Sequence, residues 1–482
     1  MTELAPYLKD ASNFRGEAER LLLPASEREI AQTLREAQRT GTPVTVAGAG
    51  TGLTGGRVPQ GGIVLSTEKL DRILAVEAAS PLEDGIARVQ PAVSLRRLEE
   101  ATSAKGLFYP PDPGEKSASL GGTIATNASG PRSLKYGVTR RYIERLRVVL
   151  PTGDLLEIAR GQVRENGAVL PIPLPGGKTL RVPVPSYRLP KTKNSAGYFS
   201  ETGMDAVDLF VGSEGTLGIV TEATLRLLKA PGAILSGLLF FNSERDCFAF
   251  SREAKRRLHP RALEFIDSRS LKLLSERHPD IPKKAGAALL FEEECRPGEE
   301  SPLIQIWSRA AEQGKARPSD CWYSHKPEDS ALFRKYRYDL PVMVNERAVA
   351  NRVRKLGTDL AVPEEAGEEM FDFYMERVPS SGIEYAIWGH LGDQHLHVNL
   401  LPKNPEEFER GKELYGAMAR KALSLGGTVS AEHGIGKARI PYLEWMVGRE
   451  GLLEMARVKK AFDPAGILNR GNIFPAELLK EV

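Results

Sequence analysis

At 482 residues the chain is too long for one hydrophobic core, so two or three domains are expected. Its 66 basic and 63 acidic residues leave a formal net charge of +3, which is no footprint for nucleic acid or an anionic membrane. No apolar run approaches the ~18 residues a membrane span needs, Met1 to Arg15 carries no signal-peptide pattern, and a cytoplasmic location is the default expectation. Cys247, Cys295 and Cys321 are too few and too scattered for a disulfide framework, a zinc knuckle or an iron–sulfur ligand set.

Ser26 to Glu29 is a capping box that predicts a helix with Ile30, Leu34 and Ala37 on one face, stopped by Gly41-Thr42-Pro43. After the short strand Val44-Thr45-Val46 comes Ala47-Gly48-Ala49-Gly50-Thr51-Gly52-Leu53-Thr54-Gly55-Gly56. Its small side chains leave backbone N–H groups uncovered, which suits close approach to a pyrophosphate. The glycine spacing is not that of a Rossmann fingerprint, and no Gly-Lys-Ser/Thr ending makes it a P-loop. On these residues alone a plain glycine-rich turn remains open.

Ile63 to Ser66 reads as a strand and Ser94 to Ala104 as a helix with Leu95, Leu98 and Ala101 inward. Then follow Asp112-Pro113-Gly114, a run of small residues from Ser117 to Gly130, and Tyr136-Gly137. A packed core would waste so many small side chains, so a flat ligand is expected against them, with Asn127 and the hydroxyls available for hydrogen bonds. Residues 161 to 190, rich in Gly and Pro, read as an excursion. The stretch Leu209 to Val220, containing Glu214, Gly215, Gly218 and Ile219, reads as a third close-approach loop.

Near Ala230-Pro231-Gly232 the pattern becomes that of a separate α+β unit. Within it, Trp388-Gly389-His390-Leu391-Gly392-Asp393-Gln394-His395-Leu396-His397-Val398-Asn399 holds three of the seven histidines, and Glu432-His433 follows. Gly392-Asp393 predicts a turn and His395 to Leu400 a strand, with His395 and His397 on one face. His390, His397 and Glu432 make a two-imidazole, one-carboxylate set suited to a divalent metal with an open position. On the residues alone, that reading and a polar strand end with hydrogen-bonded histidines stand level. The helix expected over 406–425 presents Leu414, Tyr415, Met418 and Ala422 as core.

Together these motifs resemble the FAD-linked oxidase family, with its vanillyl-alcohol-oxidase-type (PCMH-type) flavin domain. The branch is that of dehydrogenases acting on D-2-hydroxy acids of the lactate, glycolate and 2-hydroxyglutarate class. The resemblance implies an α+β fold: an FAD-binding domain over residues 1–229, a ferredoxin-like α+β cap over 230–437, and a segment 438–482 returning to the first domain. It implies FAD contacts from Gly48, Ala49, Gly50, Thr51, Gly52 and Leu53. Further contacts come from Pro113, Gly114, Gly121, Gly122, Thr123, Thr126, Asn127, Gly130, Tyr136 and Gly137, and then from Glu214, Gly215, Gly218, Ile219 and Asn469. It implies a divalent metal, zinc or manganese, on His390, His397 and Glu432, with His433 as the base and Arg337, four residues before Pro341, as a carboxylate clamp. The chain departs from the family pattern at Gln394 and His395, where Gly-Asn is usual, which makes His395 a candidate extra ligand. It departs again at Gly357, where a lysine is usual.

The implied reaction is oxidation of a D-2-hydroxy acid to the 2-oxo acid, with hydride passing to flavin N5. Electrons would leave to a quinone, an electron-transfer protein or an iron–sulfur partner. No nucleic acid or membrane span is expected, and a homodimer is left open. Three rivals stand beside this. One is a transferase like alkylglycerone-phosphate synthase, which carries a run of histidines where this chain has Glu432. Another is a metal-independent FAD alcohol oxidase, and the third is a subunit that only passes electrons.

Overall fold

A computed structural model describes residues 3–78 and 84–482. The N-terminal part is built on two sheets. In the first, the parallel strands Arg20–Leu22, Ile63–Ser66 and Val44–Ala47 run with Ile63–Ser66 in the centre. The helix Glu27–Thr40 buries Ile30, Leu34 and Ala37 in the same core. Its start is set by Ser26, whose side chain accepts the N–H of Glu29, and its end by Gly41 at φ 68°.

The second sheet runs Ile73–Ala78, Gly85–Val89, Ile219–Lys229, Ile143–Val149, Leu155–Ala159, all antiparallel along that path. The excursion after residue 160 is a hairpin of Val169–Pro173 and Thr179–Pro183. The inward face of the helix Leu95–Ser103 carries Leu95, Leu98 and Thr102; Ala101 is only half-buried, because the 3.6-residue period places Thr102 under Leu98.

The second part has one large antiparallel sheet. Its first four strands lie in the spatial order Trp322–Ser324, Ala233–Phe241, Ala287–Cys295, Pro260–Asp267, that is fourth, first, third, second in the chain. With the helices Glu244–Arg257 and Glu300–Gln313 as the two crossovers, this is the ferredoxin-like arrangement. The sheet then continues past Pro260–Asp267 with the hairpin Tyr385–His390 and His395–Leu400, and ends on the short strand Leu356–Gly357. The histidines therefore sit on an extension of that core.

The helix Ile440–Phe462, broken at Gly448, carries the chain back to the first part. There the tail joins the edge of the parallel sheet: Val44 N–H donates to Ile467 O and Asn469 N–H to Val44 O, both at 2.9 Å. Lys459, buried, ties this return together by donating to Asp463, Thr216 O and Leu468 O at 2.8 Å each.

Candidate active site

A single cavity of about 960 Å³ runs from the N-terminal glycine loop to the histidine hairpin. One end is walled by residues 48–54, 121–123 and 213–215, the other by Arg337, Trp388, His390, His397, Glu432 and His433. Core side chains from each apolar cluster reach its wall, among them Phe210, Tyr415, Trp388 and Ile219. The glycine-rich segments thus do what their composition foretold and let backbone line an open space.

At the glycine-rich end, Gly50 has φ 80°, a conformation side-chain-bearing residues rarely adopt, and a Cβ on Gly52 would meet no atom nearer than Asp10 Oδ2 at 3.8 Å. The space beside Gly52 is thus a cradle that a side chain would fill. Asp10 Oδ2 itself is buried there without a hydrogen-bond donor among the described residues. An elongated ligand presenting polar groups to both the loop and Asp10 fits this end, which is the demand that FAD makes.

Most of the expected flavin residues line the cavity; Asn127, Tyr136 and Gly137 do not. The Asn127 side chain is taken up by backbone, donating to Asn194 O at 3.3 Å and accepting from Arg140 N–H at 2.9 Å, while the residue sits at φ 50° as the C-cap of the short helix Leu120–Thr126. The Tyr136 hydroxyl is bonded to Glu294 on the strand Ala287–Cys295 of the large sheet, and Lys135 pairs with the same carboxylate at 2.5 Å. Tyr136-Gly137 therefore buttresses the two parts of the chain against each other. Asn469 lines the cavity, but its amide is spent on Val46 N–H and Glu214 O at 2.7 Å each.

Glu214 has the partner that a carboxylate in a glycine loop requires. Its two oxygens accept the backbone N–H groups of Ile435 and Gly436 at 2.7 and 2.8 Å. It so clamps the loop that carries Glu432 and His433 onto the flavin end. Burial pushes its carboxyl up to about 7, against the pull of those two N–H groups.

At the other end the hairpin register pairs His390 with His395 and Trp388 with His397. The Nε2 atoms of His390 and His397 each lie 3.3 Å from Glu432 Oε1. The opposite nitrogens are held from behind: His390 Nδ1 by Glu264 Oε1 at 2.5 Å, His397 Nδ1 by Thr358 O at 3.3 Å. With Nδ1–H directed at these oxygens, both Nε2 lone pairs face one point, the pattern by which outer carboxylates and carbonyls orient metal-binding imidazoles. His395, wholly buried, is within reach of the same point, since ligand atoms of His390, His395, His397 and Glu432 all lie within 4.8 Å of one another. Its Nε2 is 3.0 Å from Asp359 Oδ1, yet neither ring nitrogen has a hydrogen bond of proper direction among the described residues. An orphaned buried imidazole beside two oriented ones fits a divalent cation.

In spite of burial, Glu264 and Glu432 raise His390 above its ordinary value, so a cation binding there would displace a proton. Burial works against the charge on Glu432, but Lys193, whose Nζ is 3.0 Å from its Oε2, and His390 hold its carboxyl well below the usual range. Burial, with His397 and Lys193 close by, holds His395 far below the usual imidazole range, which favours the neutral form a ligand must have. Burial also draws His433 down to about 4 in spite of Asp359.

His433 stands beside His397 with ring centroids 5.4 Å apart and planes at 15°. Its loop is fixed by Asp359, fully buried, which accepts from His433 N–H at 3.0 Å, Ser430 Oγ at 2.7 Å and Arg439 Nη1 at 2.6 Å. Arg337 lies on the helix Pro327–Asn351 and is buried on the cavity wall. Pro341 lacks the N–H that would bond to Arg337 O, so the helix is weakened one turn above it. Arg337 Nε donates to Glu264 Oε2 at 2.8 Å, which leaves the outer guanidinium nitrogens for the cavity. Glu264, Asp359, Lys193 and Arg439 received no role from sequence. The one signal for Glu264 is a carboxylate set between Ala262-Leu263 and Phe265-Ile266 in the strand Pro260–Asp267.

Comparison with known proteins agrees with an FAD-binding cavity. Residues 18–159 match the family described as FAD binding domain, and residues 230–473 that described as FAD linked oxidases, C-terminal domain. The chain is 32% identical over 483 residues to the glycolate oxidase subunit GlcD of Bacillus subtilis, covering 99% of this chain and 93% of that protein. It is 32% identical over 456 residues to a D-lactate dehydrogenase of Archaeoglobus fulgidus (93% and 90% covered) and 31% identical over 484 residues to a D-2-hydroxyglutarate dehydrogenase of Xanthomonas citri (94% and 89%). The solved structure of an alkyldihydroxyacetonephosphate synthase superposes with a TM-score of 0.63 at 17% identity, covering 93% of this chain and 76% of that one, a likeness of fold alone. No helix among the described residues is long and apolar enough to cross a membrane. The chain belongs to the FAD-linked oxidase family, with a PCMH-type FAD-binding fold and a ferredoxin-like cap.

Proposed function

We propose that the protein oxidises a D-2-hydroxy acid to the 2-oxo acid with the help of a divalent cation. The observation that carries this is the convergence of His390 Nε2, His397 Nε2 and Glu432 Oε1 at the end of the FAD cavity, with His433 alongside. When bound, FAD supplies the acceptor for the hydride leaving C2, and the cation supplies Lewis-acid polarisation of the hydroxyl. The residues do the rest. His433 takes the hydroxyl proton. Arg337, steadied by Glu264, holds the carboxylate and so orients C2. Glu264 fixes the tautomer of His390, and Asp359 fixes the loop under His433. Glu214 keeps that loop in register with the flavin end. The names of the relatives support the substrate class: D-lactate dehydrogenase, D-2-hydroxyglutarate dehydrogenase and glycolate oxidase.

The two bound groups would sit in a cavity formed by 1–229 and 438–482 on one side and the cap, 230–437, on the other. A screen of D- and L-2-hydroxy acids with an artificial dye acceptor tests the proposal. Dye reduction by D-acids only is expected; reduction by simple alcohols but by no hydroxy acid would favour a metal-independent alcohol oxidase.

A further inference from the structure

Lys355 projects from the lining of the active-site cavity, half-buried, and among the described residues it has neither a salt bridge nor a hydrogen bond. Burial alone pulls it down to about 8, with no carboxylate near enough to lift it. An ammonium group left half-dry and unpaired is costly unless something anionic comes to it. Its neighbour in sequence, Arg354, also lines the cavity without a salt bridge, its guanidinium 5.1 Å from the centre of the Phe14 ring.

The position of Lys355 follows from strand register. Gly357 pairs with Asn399, and a Cβ on Gly357 would lie 3.2 Å from Asn399 Oδ1, so the two share a face. Leu356 points the other way, its Cδ1 2.8 Å from where a Cβ on Gly411 would stand, under the helix Pro405–Ser424. Alternation returns Lys355 to the face of Gly357, Asn399 and His397. By the register of Leu356 with Leu400, its backbone stands about four residues along the sheet from His397, roughly 13 Å at the usual rise per residue. A lysine side chain closes about half of that distance. The remainder is near the length of a five-carbon dicarboxylate, and Gly357 leaves the intervening wall without a side chain.

We infer that Lys355 is a specificity residue that receives a second, distal carboxylate of the substrate, so that the protein favours dicarboxylic over monocarboxylic D-2-hydroxy acids. The inference rests on the hydroxy-acid reading of the site for its substrate class, but the anion-binding role of Lys355 can be tested apart from turnover.

The test uses the FAD-loaded protein, its Lys355→Met and its Lys355→Arg variants. Binding of 2-oxoglutarate and of pyruvate is followed by calorimetry, and kcat and KM are measured with D-2-hydroxyglutarate and D-lactate. Wild type should bind 2-oxoglutarate at least ~10-fold more tightly than pyruvate, and Lys355→Met should weaken 2-oxoglutarate binding by roughly 10- to 100-fold, as for a lost charged hydrogen bond. Pyruvate binding and the D-lactate constants should stay within about threefold, KM rather than kcat should move for D-2-hydroxyglutarate, and Lys355→Arg should restore most of the loss. Equal wild-type binding of the two acids, or a Lys355→Met variant unchanged or equally impaired towards both, would overturn the inference. Lysine-dependent 2-oxoglutarate binding without turnover of any hydroxy acid would uphold it and sink the proposed reaction; turnover of D-lactate with no effect of Lys355 would do the reverse.

Discussion

Glu264 Oε1 accepts the Nδ1–H of His390 at 2.5 Å, so a carboxylate on the second strand of the cap decides which nitrogen of a hairpin histidine faces the cavity. The same carboxylate holds Arg337 through its other oxygen. Glu264→Gln keeps the shape and removes the charge; metal affinity should fall about 10- to 100-fold, as for other outer-sphere partners of metal ligands. Glu264→Ala strands a buried guanidinium and should cost roughly 3–5 kcal/mol of stability. Metal titration and thermal melts of the two variants distinguish these outcomes; Glu264→Gln with unchanged metal affinity would leave Glu264 a purely structural partner of Arg337.

Glu214 binds the loop of Glu432 and His433 through two backbone N–H groups. Glu214→Ala leaves both donors buried and unpaired, at roughly 1–3 kcal/mol each, and should lower the flavin-to-protein ratio as well as turnover. The pH dependence has a definite sign. Burial raises the carboxyl from 4.5 to about 7 in the folded chain, so its favourable contribution is complete below about 4.5 and is lost as pH rises through about 7. The span is on the order of 3 kcal/mol. Denaturant melts of wild type and Glu214→Gln between pH 5 and 8 should show this slope in the wild type only.

FAD should be held without a covalent bond. None of the three cysteines lines the cavity, and its only histidines, His390, His397 and His433, lie at the far end beside Glu432. After acid precipitation the yellow colour should stay in the supernatant; colour in the pellet would contradict this.

His433→Ala should retain FAD and cation but lose about 10²- to 10⁴-fold in turnover, the usual weight of a general base. His397→Ala and Glu432→Ala should lose the cation and the activity together while keeping FAD. Flavin absorbance beside elemental analysis on the four proteins separates the roles; a His433→Ala variant of normal turnover would move the base elsewhere.

Much of this was legible in sequence because the site is made of composition. Glycine and small residues over 47–56 and 117–130 announce a wall of backbone, and the hairpin of Trp388 to Leu400 shows its histidine face by simple alternation. The α+β character of the second unit was legible in its segments, while its ferredoxin-like form was implied only by the family resemblance. What stayed hidden depends on contacts between residues 71 to 126 positions apart. Glu264 meets His390 only because the strand Pro260–Asp267 pairs with the hairpin, and no local pattern encodes that pairing. Asp359 reads as one acid in a strand end, yet it organises Ser430, His433 and Arg439. Tyr136 and Asn127 stand apart: their residue types suit a flavin contact, while the fold spends their polar atoms on Glu294, Asn194 and Arg140.

The most direct test of the central claim is anaerobic reduction of the bound flavin by D-2-hydroxy acids, measured on protein of known cation content before and after exhaustive chelation. Loss of the oxidised flavin absorbance with the D- but not the L-acid, slowed by orders of magnitude in the chelated protein and restored by zinc or manganese, is the predicted result. Equal reduction rates with and without the cation, or reduction by neither enantiomer of any hydroxy acid, would contradict it.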